Sequence, residues 1–164
     1  MIGKKDDQNL YEKVDYSMVP IELILCYFKH HHIHHIERTP HFQIFTMVHN
    51  YLNNVPTTGT IRLMLNAAID AYGIQSLAVS LGLGVAKYKE RDNWKKFDSD
   101  PDRFLRATLR HLIAIMLGAE YDGEKFEGYH KGNDHRGAVC FSLMVADHII
   151  NQLENPIQKV ALDD

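Results

Sequence analysis

The stretch SDPDRFLRATLRHLIAIMLG, residues 99–118, decides the fold class. Ser99 and Asp100 offer side-chain caps, and Pro101 sits where a first helical turn has no amide to lose. Asp102 lies at the positive end of the helix dipole. Behind that start, Phe104, Leu105, Thr108, Leu109, Leu112, Ile115 and Met116 recur at three- and four-residue steps, which is one face of an α-helix. Gly118 supplies the stop. A helix with one apolar stripe needs other helices to bury it against.

Those helices follow in both directions. Downstream, Ala119–Asp134 is a loop rich in charge, glycine and aromatic residues. His135 to Leu153 reads as a last amphipathic helix with Val139, Phe141, Val145, Ile149 and Leu153 inward, and Asn155-Pro156 ends it. Upstream, Lys87–Asp98 reads as a polar connector. Ile61–Leu81 is apolar on several faces and reads as a central third helix. Thr57, Thr58 and Thr60 are its cap candidates, and Gly82 or Gly84 its end or a kink. His41–Leu52 is the second helix, separated by Pro40 from a first that runs from Ile21 to about Ile36. Asp15-Tyr16-Ser17-Met18-Val19-Pro20 is an extended approach, because Pro20 disfavours helix at Val19. No strand alternation and no repeat emerges. The prediction is an all-α fold, a compact bundle of about five helices. It forms one domain over residues 1–164, with 1–14 and 156–164 as loose ends.

Composition narrows the partners. At 45% apolar residues the chain can bury a core, and a formal charge of −3 gives no global field toward nucleic acid or a membrane surface. An anion site must therefore be a local concentration of arginine and lysine. Cys26 and Cys140 stand far apart in apolar surroundings, with no zinc-finger spacing, and read as two buried, reduced thiols. Met1–Asp7 is polar, and no run approaches 18 apolar residues, so a cytoplasmic chain without a transmembrane helix is expected.

Four constellations could carry chemistry. Arg103, Arg106 and Arg110 share one face of the 101–117 helix, where guanidinium groups could grip phosphate or, alternatively, pair with Asp98, Asp100 and Asp102. Lys87-Tyr88 and Asn93-Trp94-Lys95-Lys96 place a lone indole between amide and basic groups, either a stacking platform for a base or a staple holding the connector down. His111, Glu120, Asp122, Glu124, Glu127, His130, Asp134, His135 and Asp147 supply acids and imidazoles for Mg²⁺-assisted phosphoanhydride chemistry, without a spacing that fixes it. His30-His31-His32-Ile33-His34-His35 puts His31 and His35 at i,i+4, a zinc or nickel chelate or simply a solvated helix end.

The ordered series Gly84-Val85-Ala86-Lys87-Tyr88, Asn93-Trp94-Lys95, Arg110-His111-Leu112, Gly118, Asp122 and His135 resembles the phage-type dATP/dGTP diphosphohydrolase N-terminal domain family. Its members carry GAxKY, NW, RHL, G, D and H in that order. The likeness covers residues 84–148, and more thinly 15–25, where DYSMVP is similar to the family's DYSLIP. Residues 26–80 then read as an insertion. The resemblance implies cleavage of purine deoxynucleoside triphosphates to monophosphate and pyrophosphate with Mg²⁺, in a bacteriophage protein working in the host cytoplasm. It implies His111, Asp122 and His135 as catalytic residues; Mg²⁺ is expected on Asp122 together with the neighbouring acids Glu120 and Glu124. Lys87, Tyr88, Asn93, Trp94, Lys95, Arg103, Arg106 and Arg110 would hold the nucleotide, a small-molecule partner. Two alternatives stay open: an anti-defence protein that sequesters a host nucleotide signal intact, and a structural or metal-binding helical module. The apolar third helix hints at a homo-oligomer.

Overall fold

The computed structural model describes residues 13–55, 60–97, 100–119 and 134–154, with side chains as far as residue 151. Among them are six α-helices and no strand: α1 (Ile21–His30), α2 (Pro40–Leu52), α3 (Ile61–Tyr72), α4 (Ile74–Tyr88), α5 (Pro101–Met116) and α6 (His135–Glu154). Single 3-10 turns lie at Tyr16–Met18, Ile36–Arg38 and Asn93–Lys96. The all-α expectation holds, with one helix more than about five.

Local chemistry explains the boundaries. Thr39, Thr60 and Asp100 cap α2, α3 and α5 by accepting from the amides of Phe42, Leu63 and Asp102. α1, α2 and α5 each close with a left-handed residue, at His32 (φ 62°), Asn54 (φ 55°) and Gly118 (φ 87°). In each case the next amide reaches back five residues, as from Ile33 to Phe28 O at 3.0 Å. This closure stops α1 at His30, six residues before the predicted end. His31 and His35 therefore do not share a helix face, and both are exposed.

The predicted third helix is two. Gly73 takes φ 87° and ψ 149°, outside the range of an L side chain, and α3 meets α4 there at 102°. Gly82 and Gly84 run on inside α4, as do Lys87 and Tyr88, so the connector begins at Lys89.

α6 is the axis of the molecule: it packs on α5, α3 and α4, while α2 packs on α5 and α3. Phe28, Phe45, Phe104, Leu109, Leu143 and Ile149 fill the interior, each nearly inaccessible. Cys140 is buried as expected, but Cys26 is exposed, because α1 turns that side outward.

Candidate functional site

The densest gathering of predicted residues lies where α4 ends and the connector folds back. Tyr88 is the last residue of α4, and the 3-10 turn sets Asn93 and Trp94 beneath it. Leu81, Gly84, Val85, Tyr88, Asn93, Trp94, Phe97 and Phe141 enclose a small apolar pocket of about 70 Å³, with Glu90 and Arg91 at its margin. Sharing Leu81, Val85, Arg91 and Trp94 with it, an open groove of about 550 Å³ runs between these residues, Asp92, Ala78 and Gly82. That volume falls in the range of small-molecule clefts. A Cβ added at Gly84 would meet nothing within 4 Å, so the glycine leaves the wall of the smaller pocket hollow.

Trp94 is both wall and staple. Its indole makes a T-shaped contact with the His148 ring, centroids 5.2 Å apart and planes at 74°, which pins the connector to α6. Lys95 Nζ stands 5.6 Å over the same indole and pairs with Asp92 at 3.6 Å. Lys87 Nζ lies 5.3 Å over the Tyr88 ring, and Asn93 is buried. An ion pair between Lys96 and Glu90 closes the connector on itself. Arg91 was missed in the sequence reading. Its signal was present: a cation three residues before Trp94, in the same connector.

The groove has a direction. Gly137 of α6 sits against Ser76 near the start of α4, whereas Phe141 and His148 lie beside its end and Trp94. The two helices thus run alongside each other in the same sense. From Val85 to Ala78 the groove follows α4 for about 10 Å at 1.5 Å per residue, toward the end of α6 that carries His135.

At that end the two predicted imidazoles do meet. His111 of α5 and His135 of α6 place their Nδ1 atoms 2.8 Å apart, with ring planes inclined by 48°. At this distance one nitrogen must donate a proton and the other accept it, so the pair can take up and pass on a proton. His135 is buried. The pair lies 13 residues, about 20 Å, along α6 from His148, so it is not in contact with Trp94.

The arginines stand elsewhere. Arg103, Arg106 and Arg110 occupy the side of α5 opposite Phe104, Leu105, Thr108, Leu109 and Leu112, which are buried. No α5 arginine lines either groove beside Trp94. Arg106 reaches Asp100 at 3.5 Å, and Arg110 Nη1 donates to Val14 O at 3.5 Å. Burial, then the neighbouring Arg106, pushes the Arg110 guanidinium below its ordinary value, with Asp15 acting the other way.

Glu120, Asp122 and Glu124 lie outside the described residues, as do Glu127 and His130. Among the described residues no group of three or more His, Cys, Asp or Glu side chains could hold a metal ion, the His30–His35 run included. Asp147 is otherwise engaged: Arg62 Nη2 and Nε approach its Oδ2 at 2.6 and 2.9 Å. Among the described residues no single helix is long and apolar enough to cross a membrane; α3 and α4 pass only as a pair, bent by 102°.

A model of the family described as dATP/dGTP diphosphohydrolase, N-terminal, matches residues 58–157, more than half of the chain. The match takes in α3 to α6, and so residues 58–80 of the stretch that reads as an insertion, together with the Trp94 groove and the histidine pair. No curated protein and no solved structure matches. With the ordered groove, connector and histidine pair all inside the matched span, the chain belongs to the dATP/dGTP diphosphohydrolase N-terminal family.

Proposed function

We propose that the protein binds a purine deoxynucleoside triphosphate in the groove beside Trp94 and hydrolyses it to monophosphate and pyrophosphate. The observation that carries the reading is the groove itself, of nucleotide size, walled by an indole and a guanidinium, and pointing along α4 toward the histidine pair. The base stacks on Trp94. Arg91, Lys87 and Lys95 attract the phosphates. The oxygen of the attacking water bonds to the α-phosphorus as the bond to the pyrophosphate oxygen breaks, and its proton reaches the histidine pair through the water of the open groove.

Mg²⁺ would be held by Glu120, Asp122 and Glu124, carboxylates of the kind this ion takes. The segment that carries them joins the end of α5 to the start of α6, the same end as His111 and His135. Bound there, the ion would neutralise charge on the phosphates.

The test is incubation with dGTP or dATP and Mg²⁺, followed by separate assays for monophosphate and pyrophosphate. Equal release of both is expected. Trp94→Ala should weaken nucleotide binding by about 1–3 kcal/mol, the range for one base stacked on one aromatic ring. His111→Gln should lower kcat with little change in binding. Nucleotide bound tightly and recovered intact would replace turnover with sequestration, and no binding at all would remove the reading.

A further inference from the structure

The α5 arginines are left without a role by the Trp94 groove, and one of them, Arg110, is drawn partly out of solvent. Arg103, Arg106 and Arg110 lie at i, i+3 and i+7, spanning about 10 Å of helix. Arg110 is half-buried, because the segment ahead of α1 crosses over it: Val14 O takes its Nη1, and the carboxyl of Asp15 acts on the same guanidinium. That segment is a strap with its own fastenings. His49 Nε2 lies 2.8 Å from Val19 O, Asn53 Nδ2 donates to Ser17 O at 3.1 Å, and Asp15 Oδ1 accepts from Ser17 N and Oγ at 3.0 and 2.6 Å.

Like charges are thereby held together where water is partly excluded. Arg106 and Arg103 both act against the charge on Arg110, while the contacts from Arg106 to Asp100 and from Arg110 to Val14 sit at the outer limit of a hydrogen bond. Each guanidinium carries five donors in a fixed fork, matched to phosphate oxygens. A single phosphate would engage one or two such forks. Two linked phosphates fit a row of three.

We propose that the outward face of α5, Arg103, Arg106 and Arg110, is a second anion site, separate from the Trp94 groove, that binds a pyrophosphate or triphosphate group. The strap reaches its Arg110 end, and Asp15 is the nearby carboxylate whose charge such an anion would meet there. The site needs no base and no turnover, so it stands independently of the function proposed for the groove. Where that function also holds, the product pyrophosphate is one natural occupant, and the charge of Asp15 works against its binding.

The probe is inorganic pyrophosphate, titrated calorimetrically into the full chain without divalent ions at physiological ionic strength, where weak attraction to a solvated charge is screened. Binding is expected, reduced at least tenfold by Arg106→Gln and again by Arg110→Gln. Asp15→Asn keeps an acceptor for the Ser17 amide and removes the charge, so it should tighten binding several-fold. Trp94→Ala should leave pyrophosphate binding unchanged while it weakens dGTP, which separates this site from the groove. Arg106 is at the surface, so Arg106→Gln remains informative if the Arg110 variant fails to fold. Absence of pyrophosphate binding, indifference to Arg106→Gln, or weaker binding in Asp15→Asn would each overturn the proposal.

Discussion

His41 and Tyr72 show how much a single side chain can set. His41 Nδ1 lies 2.7 Å from the Tyr72 hydroxyl, and the two rings stack at 9°. Burial, then the charge of Arg136, pushes the His41 imidazole below its ordinary value of 6.5, while burial pushes the Tyr72 hydroxyl up. His41 is thus the neutral acceptor and Tyr72 the donor. Below pH 6.5 the unfolded chain binds a proton that the native state resists, so stability falls as pH drops through that region. Thermal melts between pH 8 and pH 5 should show the decline, and His41→Gln should flatten it. The thiols differ in the same physical way. Burial, then Asp134, raises the Cys140 thiol to about 11, whereas Cys26 is exposed. A thiol reagent should modify one cysteine in the native protein and the second only after unfolding.

Helix ends were legible at the level of the element because their chemistry is local. Thr60, Asp100, Pro101 and Gly118 each do in the structure what their type and position imply. Gly73 was not legible as a break. It interrupts an apolar run that suits one long buried helix, and only the packing of α4 against α6 favours a corner over a tolerated glycine. Gly73→Ala should cost about 1–2 kcal/mol in denaturant unfolding, for a side chain forced to positive φ. Gly84→Ala should do the opposite. It lies inside α4 with open space before it, so alanine should add about 0.5–1 kcal/mol of helix stability. Gly84→Phe should instead fill the small apolar pocket that Tyr88 and Phe141 line.

The site divides along the same line. Tyr88, Asn93 and Trp94 are close in sequence, and their gathering could be read directly. His111 and His135 could each be named, but their contact depends on the register of α5 against α6. The arginine face followed from spacing alone. Its cover did not, because Val14 and Arg110 are 96 residues apart.

For the whole molecule, α6 matters most, since three other helices rest on it. It approaches α4 closely at Gly137, where an added Cβ would run into the Ser76 carbonyl oxygen. Gly137→Ala should therefore force α4 and α6 apart and cost about 1–3 kcal/mol, although alanine is the better helix former. A loss of stability with unchanged helical content would confirm that this contact, not local propensity, sets the spacing of the bundle.

Trp94 is the chain's single tryptophan, and it stands at the groove in a T-shaped contact with His148. The protein therefore carries its own optical reporter. Selective excitation reads one indole, without the averaging that several would impose. A base stacked on that ring would quench its emission in proportion to occupancy. An anion on the far face of α5 would leave the emission as it was, so one cuvette can tell the two kinds of binding apart.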